Sequence, residues 1–150
     1  MSSDLRDLYQ EVILDHGKRP RNFRRLDQPS CSVDGYNPLC GDHFMLDLQL
    51  DGGRIADIAF EGAGCAISTA SASLMTEAIK GRTVEEARQL FKKFHRLILC
   101  EAAPEDGPPL GKLEVFSGVH EYPTRVKCAT LAWHTLCAAL DGQHGTVSTE

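Results

Sequence analysis

The stretch that decides the fold is residues 43–61, which read HFMLDLQLDGGRIADIAFE. Its first half alternates, so one face of an extended chain carries four apolar side chains, those of Phe44, Leu46, Leu48 and Leu50. A glycine turn at residues 51–53 follows, and a second apolar run then contains Ile55, Ile58 and Phe60. Two such runs around a glycine turn predict an antiparallel hairpin, whose apolar face has to be covered by other elements.

Helices predicted on both sides of the hairpin can provide that cover. Apolar residues at helical spacing predict helices over about residues 3–18, 65–79, 83–99 and 124–140, the third opened by a capping box at Thr83. A short strand is predicted near residues 32–36. Together these elements predict an α+β fold, a small antiparallel sheet of about three strands covered by helices, in one domain over residues 1–150. Residues 141–150 are expected to form a polar tail.

The composition argues against several classes of function. The 150 residues carry a formal net charge of -5, which gives no electrostatic basis for binding nucleic acid. No apolar run approaches the ~20 residues that cross a bilayer and no signal peptide is visible, so we expect a cytoplasmic protein without a membrane partner. Cytosolic thiols stay reduced, and the six cysteines therefore indicate metal or redox chemistry rather than disulfides. The basic segment 18–25 is expected to be a solvated loop or, alternatively, a docking patch for an acidic partner.

Three of the cysteines lie in contexts that suit a metal ligand. Cys40 and Asp42 flank Gly41, which lets the backbone turn so that both side chains can face one atom. Cys65 lies at a strand-to-helix junction and Cys128 lies near the start of the last helix, where a helix N-terminus or a nearby cation favours the thiolate. Three thiolates and one carboxylate can fill the four positions of a tetrahedral metal site.

Each of these residues also has a simpler interpretation. Asp42 can be a turn residue that bonds its own backbone, and Cys65 can be a small buried residue in the first turn of a helix. The long spacings between the cysteines are less specific than paired Cys-x-x-Cys motifs. The residues alone therefore leave open whether they form one site.

Four motifs resemble the IscU/NifU-type family of iron–sulfur cluster assembly proteins. They are, in order, DHGKRPRNF (15–23), NPLCGD (37–42), GCAIS (64–68) and VKC (126–128), and the match runs from about residue 5 to residue 140. Within this family the chain resembles the SufU branch for two reasons. Lys127 stands where the housekeeping scaffolds usually have a histidine, and residues 103–122 form extra sequence before Cys128.

The resemblance implies a zinc-bound sulfurtransferase that acts with a cysteine desulfurase. It implies zinc held by Cys40, Asp42, Cys65 and Cys128, and a SufS-like desulfurase that presents a persulfide. Cys40 would be the ligand that leaves the zinc and accepts the sulfur, while Arg125 would position the partner or the incoming sulfur. The sulfur would then pass to a downstream SUF scaffold or to an apo-protein acceptor.

The same residues allow two other functions. A true scaffold would use them to bind iron and build a transient [2Fe–2S] cluster, although Lys127 in place of histidine counts against this. A small interaction module could use zinc only structurally, although a closed structural site favours Cys and His over a carboxylate such as Asp42. Substituting Asp42 distinguishes the structural role, which predicts unfolding, from a transfer role, which predicts a folded protein with altered metal exchange.

The remaining cysteines match no ligand motif. Cys137 falls on the apolar stripe of the last helix, so core packing is expected there, and Cys31 and Cys100 are expected to be structural. His43 follows Asp42 directly, and as a strand residue it should point to the opposite face.

Overall fold

The computed structural model describes residues 3–38, 41–102, 107–142 and 145–148. Those ranges contain four α-helices, four β-strands and two short 3-10 helices. In chain order they are α1 (Ser3–Lys18), β1 (Cys31–Asn37), β2 (Asp42–Asp51), β3 (Arg54–Ala63), α2 (Ala66–Ile79), α3 (Val84–Ile98), the 3-10 helices Gly111–Phe116 and Val119–Glu121, α4 (Pro123–Leu140) and β4 (Gly145–Ser148). The predicted α+β class is confirmed.

The strands form one sheet in the order β3-β2-β1-β4. The predicted hairpin is present, because β2 pairs antiparallel with β3 and Leu46 lies opposite Phe60. β1 pairs antiparallel with the other side of β2, where Val33 also lies opposite Leu46. The three-stranded antiparallel sheet expected from the sequence is therefore found.

The C-terminal segment differs from the polar tail that the sequence predicts. Gly142, with a φ of +81°, follows α4, and β4 then pairs in parallel with β1 from Val33 opposite Gly145 to Tyr36 opposite Ser148. A four-residue strand is too short to show a period-2 apolar pattern. The sequence prediction therefore followed the polar composition of this segment and not its β-branched residues, which favour a strand. The sheet thus gains a fourth, parallel strand.

Helices α2 and α4 pack against the sheet, and α3 packs on α4. A side chain at Gly35 of β1 would collide with Thr135 of α4, so the missing Cβ lets this helix approach the sheet closely. In the core, Trp133 stacks on Phe94 with 4.9 Å between ring centroids, and Phe94 meets Phe116 edge to face. The sheet and the end of α4 that carries Cys128 are therefore fixed by one continuous core.

The Ala-, Ser- and Thr-rich helix α2 is the most deeply buried helix of the described chain, since every residue from Ser68 to Thr76 is buried. It contacts α1, α4 and β3. Two of its hydroxyls donate to backbone carbonyls: Ser71 donates to Ala129 of α4, and Thr76 donates to Ser73. Small side chains allow this close packing, as the sequence predicts. Among the described residues, no helix has both the length and the apolar character needed to cross a membrane.

The basic segment after α1 is tied to the protein surface by its own charges. All four of its arginines pair with carboxylates of the chain: Arg19 and Arg21 with Asp15, Arg24 with Asp57 and Arg25 with Asp47. The Asp47 carboxylate is fully buried and also accepts hydrogen bonds from the Ser32 hydroxyl and the Leu26 amide. These pairings favour an ordered loop over a docking patch for an acidic partner.

Candidate metal centre

Three of the side chains predicted to be ligands meet at one place. Asp42 begins β2, Cys65 immediately precedes α2, and Cys128 lies in the second turn of α4. One ligand atom from each lies within 4.8 Å of the other two. Within the described part of the chain, this is the one group of three or more Cys, His, Asp or Glu side chains that is close enough to bind a metal ion.

Cys65 is the N-cap residue of α2. Its sulfur accepts a hydrogen bond from the backbone N–H of Ser68 at 3.4 Å, and the Ser68 hydroxyl lies 3.5 Å from the same sulfur. A cap normally satisfies one of the free N–H groups at the start of a helix, and here a thiol does so. The positive end of the helix dipole favours the thiolate form, which is the form that binds metals and attacks electrophiles.

Asp42 is hydrogen-bonded to the backbone at the start of α2. One carboxylate oxygen accepts the backbone N–H of Cys65 at 2.9 Å, and the other lies 4.0 Å from the Cys65 sulfur. The side chain is buried, with 1% of its surface exposed. It therefore bridges two elements separated by 23 residues, whereas a turn residue needs to reach only its own backbone. Because one oxygen accepts the N–H of Cys65, we infer that Asp42 would bind a metal ion through its other oxygen, as a single ligand.

Two glycines make this close approach possible. A side chain on Gly62, whose φ is +142°, would collide with the carbonyl of His43. A Cβ on Gly64 would lie 2.9 Å from the Asp42 carboxylate and 2.5 Å from the Ser68 hydroxyl. The glycines of the Gly-Ala-Gly segment before Cys65 therefore let β2 and α2 approach each other at the site.

Cys128 is placed by the packing of α4 on α2. Its sulfur is 2% exposed and donates to the Thr124 carbonyl at 3.6 Å. The hydrogen bond from the buried Ser71 to Ala129 joins the two helices one residue beyond Cys128. Ser71 thus helps to set the separation of the Cys65 and Cys128 thiols.

Arg125 lies three residues before Cys128 on α4 and faces both described thiols. The negative charge of the Cys65 thiolate, and next that of Cys128, raises the pKa of Arg125. Arginine is already cationic at any relevant pH, so the effect that matters is the reciprocal one. The guanidinium stabilises the two thiolates and lowers the cost of adding negative charge at the mouth of the site.

Cys40, predicted as a ligand and as the sulfur acceptor, lies outside the described residues. Among the described residues on either side of it, Asn37 of β1 pairs with Asp42 of β2, and the Asn37 carbonyl accepts the N–H of Gly41 at 2.8 Å. Gly41 has a φ of +74°, as expected for the residue that turns the chain. The role of Cys40 as a ligand stays a prediction.

The described donor set fits a tetrahedral ion that takes sulfur and oxygen ligands. With zinc–sulfur bonds of about 2.3 Å and zinc–oxygen bonds of about 2.0 Å, ligand atoms stand roughly 3.5–3.8 Å apart. The observed limit of 4.8 Å lies about an ångström beyond that spacing, and the distance between Cys65 sulfur and Asp42 oxygen is 4.0 Å. Small side-chain shifts would therefore complete three positions.

The other cysteines and His43 lie away from this group. Cys31 is buried in β1, and burial raises the pKa of the Cys137 thiol to about 11. Cys100 is exposed at the end of α3 with a φ of +58°, so it does not pack in the core as a structural cysteine normally does. The exposed His43 pairs with Asp34 at 3.1 Å, which confirms that it points away from the buried Asp42.

Sequence reasoning named the three residues that converge here, but it missed the residues that support them. Ser68 and Gly64 were visible only as parts of the motif around Cys65, and Ser71 only as one small residue among many in α2. A capping position three residues after Cys65 is a local signal that could have indicated Ser68. The roles of Gly64 and Ser71 depend on neighbours in other elements.

Comparison with known proteins places the chain in a family. Residues 8–140 match the model of the NifU-like N-terminal domain. The chain is 45% identical over 135 residues to the zinc-dependent sulfurtransferase SufU of Bacillus subtilis, covering 90% of both chains. It is 43% identical over 138 residues to the iron–sulfur cluster assembly scaffold protein IscU of Streptococcus pyogenes, covering 92% of this chain and 86% of that one.

A solved structure agrees with these relatives. The structure of the SufU protein of Fervidobacterium islandicum AW-1 superposes with a TM-score of 0.82 at 37% sequence identity, over 93% of this chain and 99% of the other. Both the sequence match and the shared fold extend over the elements that carry Asp42, Cys65 and Cys128. The chain belongs to the family of NifU-like N-terminal domains, as a SufU-type member.

Proposed function

We propose that the protein is a zinc-binding sulfurtransferase of iron–sulfur cluster assembly, which accepts persulfide sulfur from a SufS-like cysteine desulfurase. The observation that carries the proposal is the convergence of Asp42, Cys65 and Cys128, with Arg125 facing the two thiols. The similarity to a zinc-dependent sulfurtransferase supports the choice of metal and of reaction.

Cys40, Asp42, Cys65 and Cys128 would hold the zinc. Bound zinc would keep the thiols deprotonated and restrain their reactivity until a partner arrives. The structure supports different roles for the described ligands. Cys65 caps α2, so moving its sulfur would expose the start of a buried helix, and Cys128 sits within α4.

Cys40 is therefore the best candidate for the sulfur acceptor. It belongs to the connection between β1 and β2, and its displacement breaks no helix cap. The Cys40 thiolate would attack the outer sulfur of the donor persulfide. The donor's sulfur–sulfur bond breaks, its cysteine leaves as a thiolate, and Cys40 then carries the persulfide. Arg125 would stabilise the negative charge that collects on sulfur during this exchange.

A second candidate is a scaffold that assembles a transient [2Fe–2S] cluster on the same residues. It is favoured by the 43% identity to a scaffold protein and by Asp42, since a carboxylate among thiolates is a weak ligand for a cluster that has to be passed on. Lys127, in the position before Cys128, argues against it, because a lysine is a poorer ligand than the histidine that housekeeping scaffolds carry there. In either case the product passes to a downstream SUF scaffold or apo-protein.

The test is alanine release by the cognate cysteine desulfurase, measured without iron and with the zinc-loaded protein. We expect a large, saturable acceleration that is lost in Cys40→Ala and retained in Cys100→Ala, a control at an exposed cysteine outside the site. An active desulfurase that is not accelerated would refute sulfur acceptance. Cluster absorption after reconstitution with iron and sulfide would then make the scaffold the leading function.

A further inference from the structure

A cleft of about 400 Å³ opens beside the metal centre. Its walls come from α1, from the start of α2, and from the 3-10 segment between Val115 and Tyr122, and Arg125 of α4 lies at one end. We call this the α1–α4 cleft. Its volume lies within the ~300–1,000 Å³ typical of binding pockets, which is enough for an anchoring side chain and its neighbours but small for a whole protein interface.

The cleft adjoins the thiols of the candidate metal centre. Arg125 lines it and also faces the thiols of Cys65 and Cys128. Ile67, which lines it too, is only two residues after Cys65 on the first turn of α2. Two residues of the lining therefore lie within one helical turn of the thiols, so a partner that binds in the cleft would also contact the surface next to them.

The lining suits an apolar side chain carried on a peptide. Tyr9 and Ile13 of α1 and Val119 of the 3-10 segment present apolar surface, and Tyr122 stands 60% exposed on the lining. The hydroxyl oxygen of Ser117 is buried and has no hydrogen-bond partner among the described residues. Tyrosine and arginine are enriched at the anchor positions of protein interfaces, and Tyr122 and Arg125 both line this cleft.

We propose that the α1–α4 cleft binds the segment of the sulfur-donor protein next to its persulfide cysteine, by taking up an aliphatic or aromatic side chain of that segment. This proposal rests on the proposed function, since it names the surface that the donor uses. Docking here would orient the donor chain over Arg125 and towards the connection that carries Cys40. A protein segment fits better than a small thiol, because the cleft offers both apolar surface and polar groups, such as Gln10 and Glu121, along the length of a peptide.

The test compares two neighbouring residues of α1. Ile13 lines the cleft, whereas Leu14 is 51% exposed and does not line it. Binding of zinc-loaded protein to the cognate desulfurase is measured by calorimetry without the cysteine substrate, so that no persulfide forms and no sulfur is transferred. We expect Ile13→Glu to weaken the Kd at least about tenfold and Leu14→Glu to change it less than about twofold. Zinc content and circular dichroism check that both variants are folded.

Tyr122→Ala gives a second measurement if Ile13→Glu disturbs α1. The Tyr122 side chain is mostly exposed, so its removal should leave the fold intact while weakening donor binding about fivefold. Unchanged affinity in the folded cleft variants would overturn the proposal, as would a wild-type protein that does not bind the desulfurase. A dimer of this chain that dissociates in Ile13→Glu would also overturn it, because a second copy would then be the occupant. Cleft-dependent binding without accelerated alanine release would refute the proposed function and leave the docking surface standing.

Discussion

Replacing Gly64 with alanine adds one methyl group at the point where β2 and α2 meet over the metal centre. The new Cβ would lie 2.9 Å from the Asp42 carboxylate, 2.9 Å from the Phe44 ring and 2.5 Å from the Ser68 hydroxyl. Ordinary contact begins at 3.4 Å, so the carboxylate would have to retreat by the difference of 0.5 Å. Metal–ligand distances tolerate only about ±0.2 Å, and we therefore expect the zinc affinity to fall at least about tenfold.

The same methyl group should also cost stability. Overpacking a well-packed site costs about 1–3 kcal/mol, and for a chain of this length each kcal/mol lowers the Tm by about 2–4 °C. Gly118→Ala is the matched control, because a Cβ there meets nothing within 4 Å. Zinc affinity would be measured by competition with a chromogenic chelator, and the Tm by thermal unfolding in chelator. Wild-type zinc affinity in Gly64→Ala would refute the steric argument for this junction.

Three further predictions concern groups outside the centre. Burial alone would raise the pKa of Asp47, but its hydrogen bonds, led by that from Arg25, outweigh burial and lower the pKa. Asp47→Ala should therefore destabilise the protein by about 1–3 kcal/mol near neutral pH, and the difference in urea unfolding should vanish as the pH falls through the lowered pKa. Burial lowers the pKa of His16, so the unfolded chain takes up its proton more readily. The free energy of unfolding should then fall as the pH drops below the ordinary histidine pKa of 6.5. His16→Gln should lose less stability than the wild type between about pH 7 and about pH 5.5. An equal loss in the two proteins would exclude His16 as its source. Mass spectrometry after brief alkylation at about pH 8 should find Cys100 modified and Cys137 spared, because Cys100 is exposed and the pKa of Cys137 is about 11; modification of Cys137 first would contradict its burial.

Local patterns in the sequence were enough to predict most of the architecture. The alternation from Phe44 to Leu50 and the glycine turn predicted the hairpin, and the Thr83 capping box predicted the start of α3. The parallel strand β4 was missed, because four residues carry too little pattern to reveal pairing with a strand more than 100 positions earlier in the chain. Whether β4 can pair with β1 depends on where the C-terminal end of α4 lies relative to the sheet.

The candidate site could be predicted as a set of residues but not as a geometry. The contexts of Asp42, Cys65 and Cys128 suggested ligands, and the family motifs connected them, but no spacing in the sequence gives the distances between their side chains. The steric role of Gly64 and the link from Ser71 to Ala129 belong to contacts between elements. They follow from the fold and cannot be seen in a linear pattern.

The chain itself pairs with part of one edge of the sheet and adds a strand at the other. β4 occupies the outer edge of β1, and residues 22–24 exchange backbone hydrogen bonds with Phe60 on the outer edge of β3. Asn22 adopts a φ of +57° to make this pairing, which is a conformation that asparagine tolerates better than most residues. Exposed strand edges invite other chains to add a strand, and such pairing leads to aggregation or to indiscriminate association. Because Asn22 and Arg24 already use the backbone N–H and C=O of Phe60, those two groups of β3 are not available to an added strand.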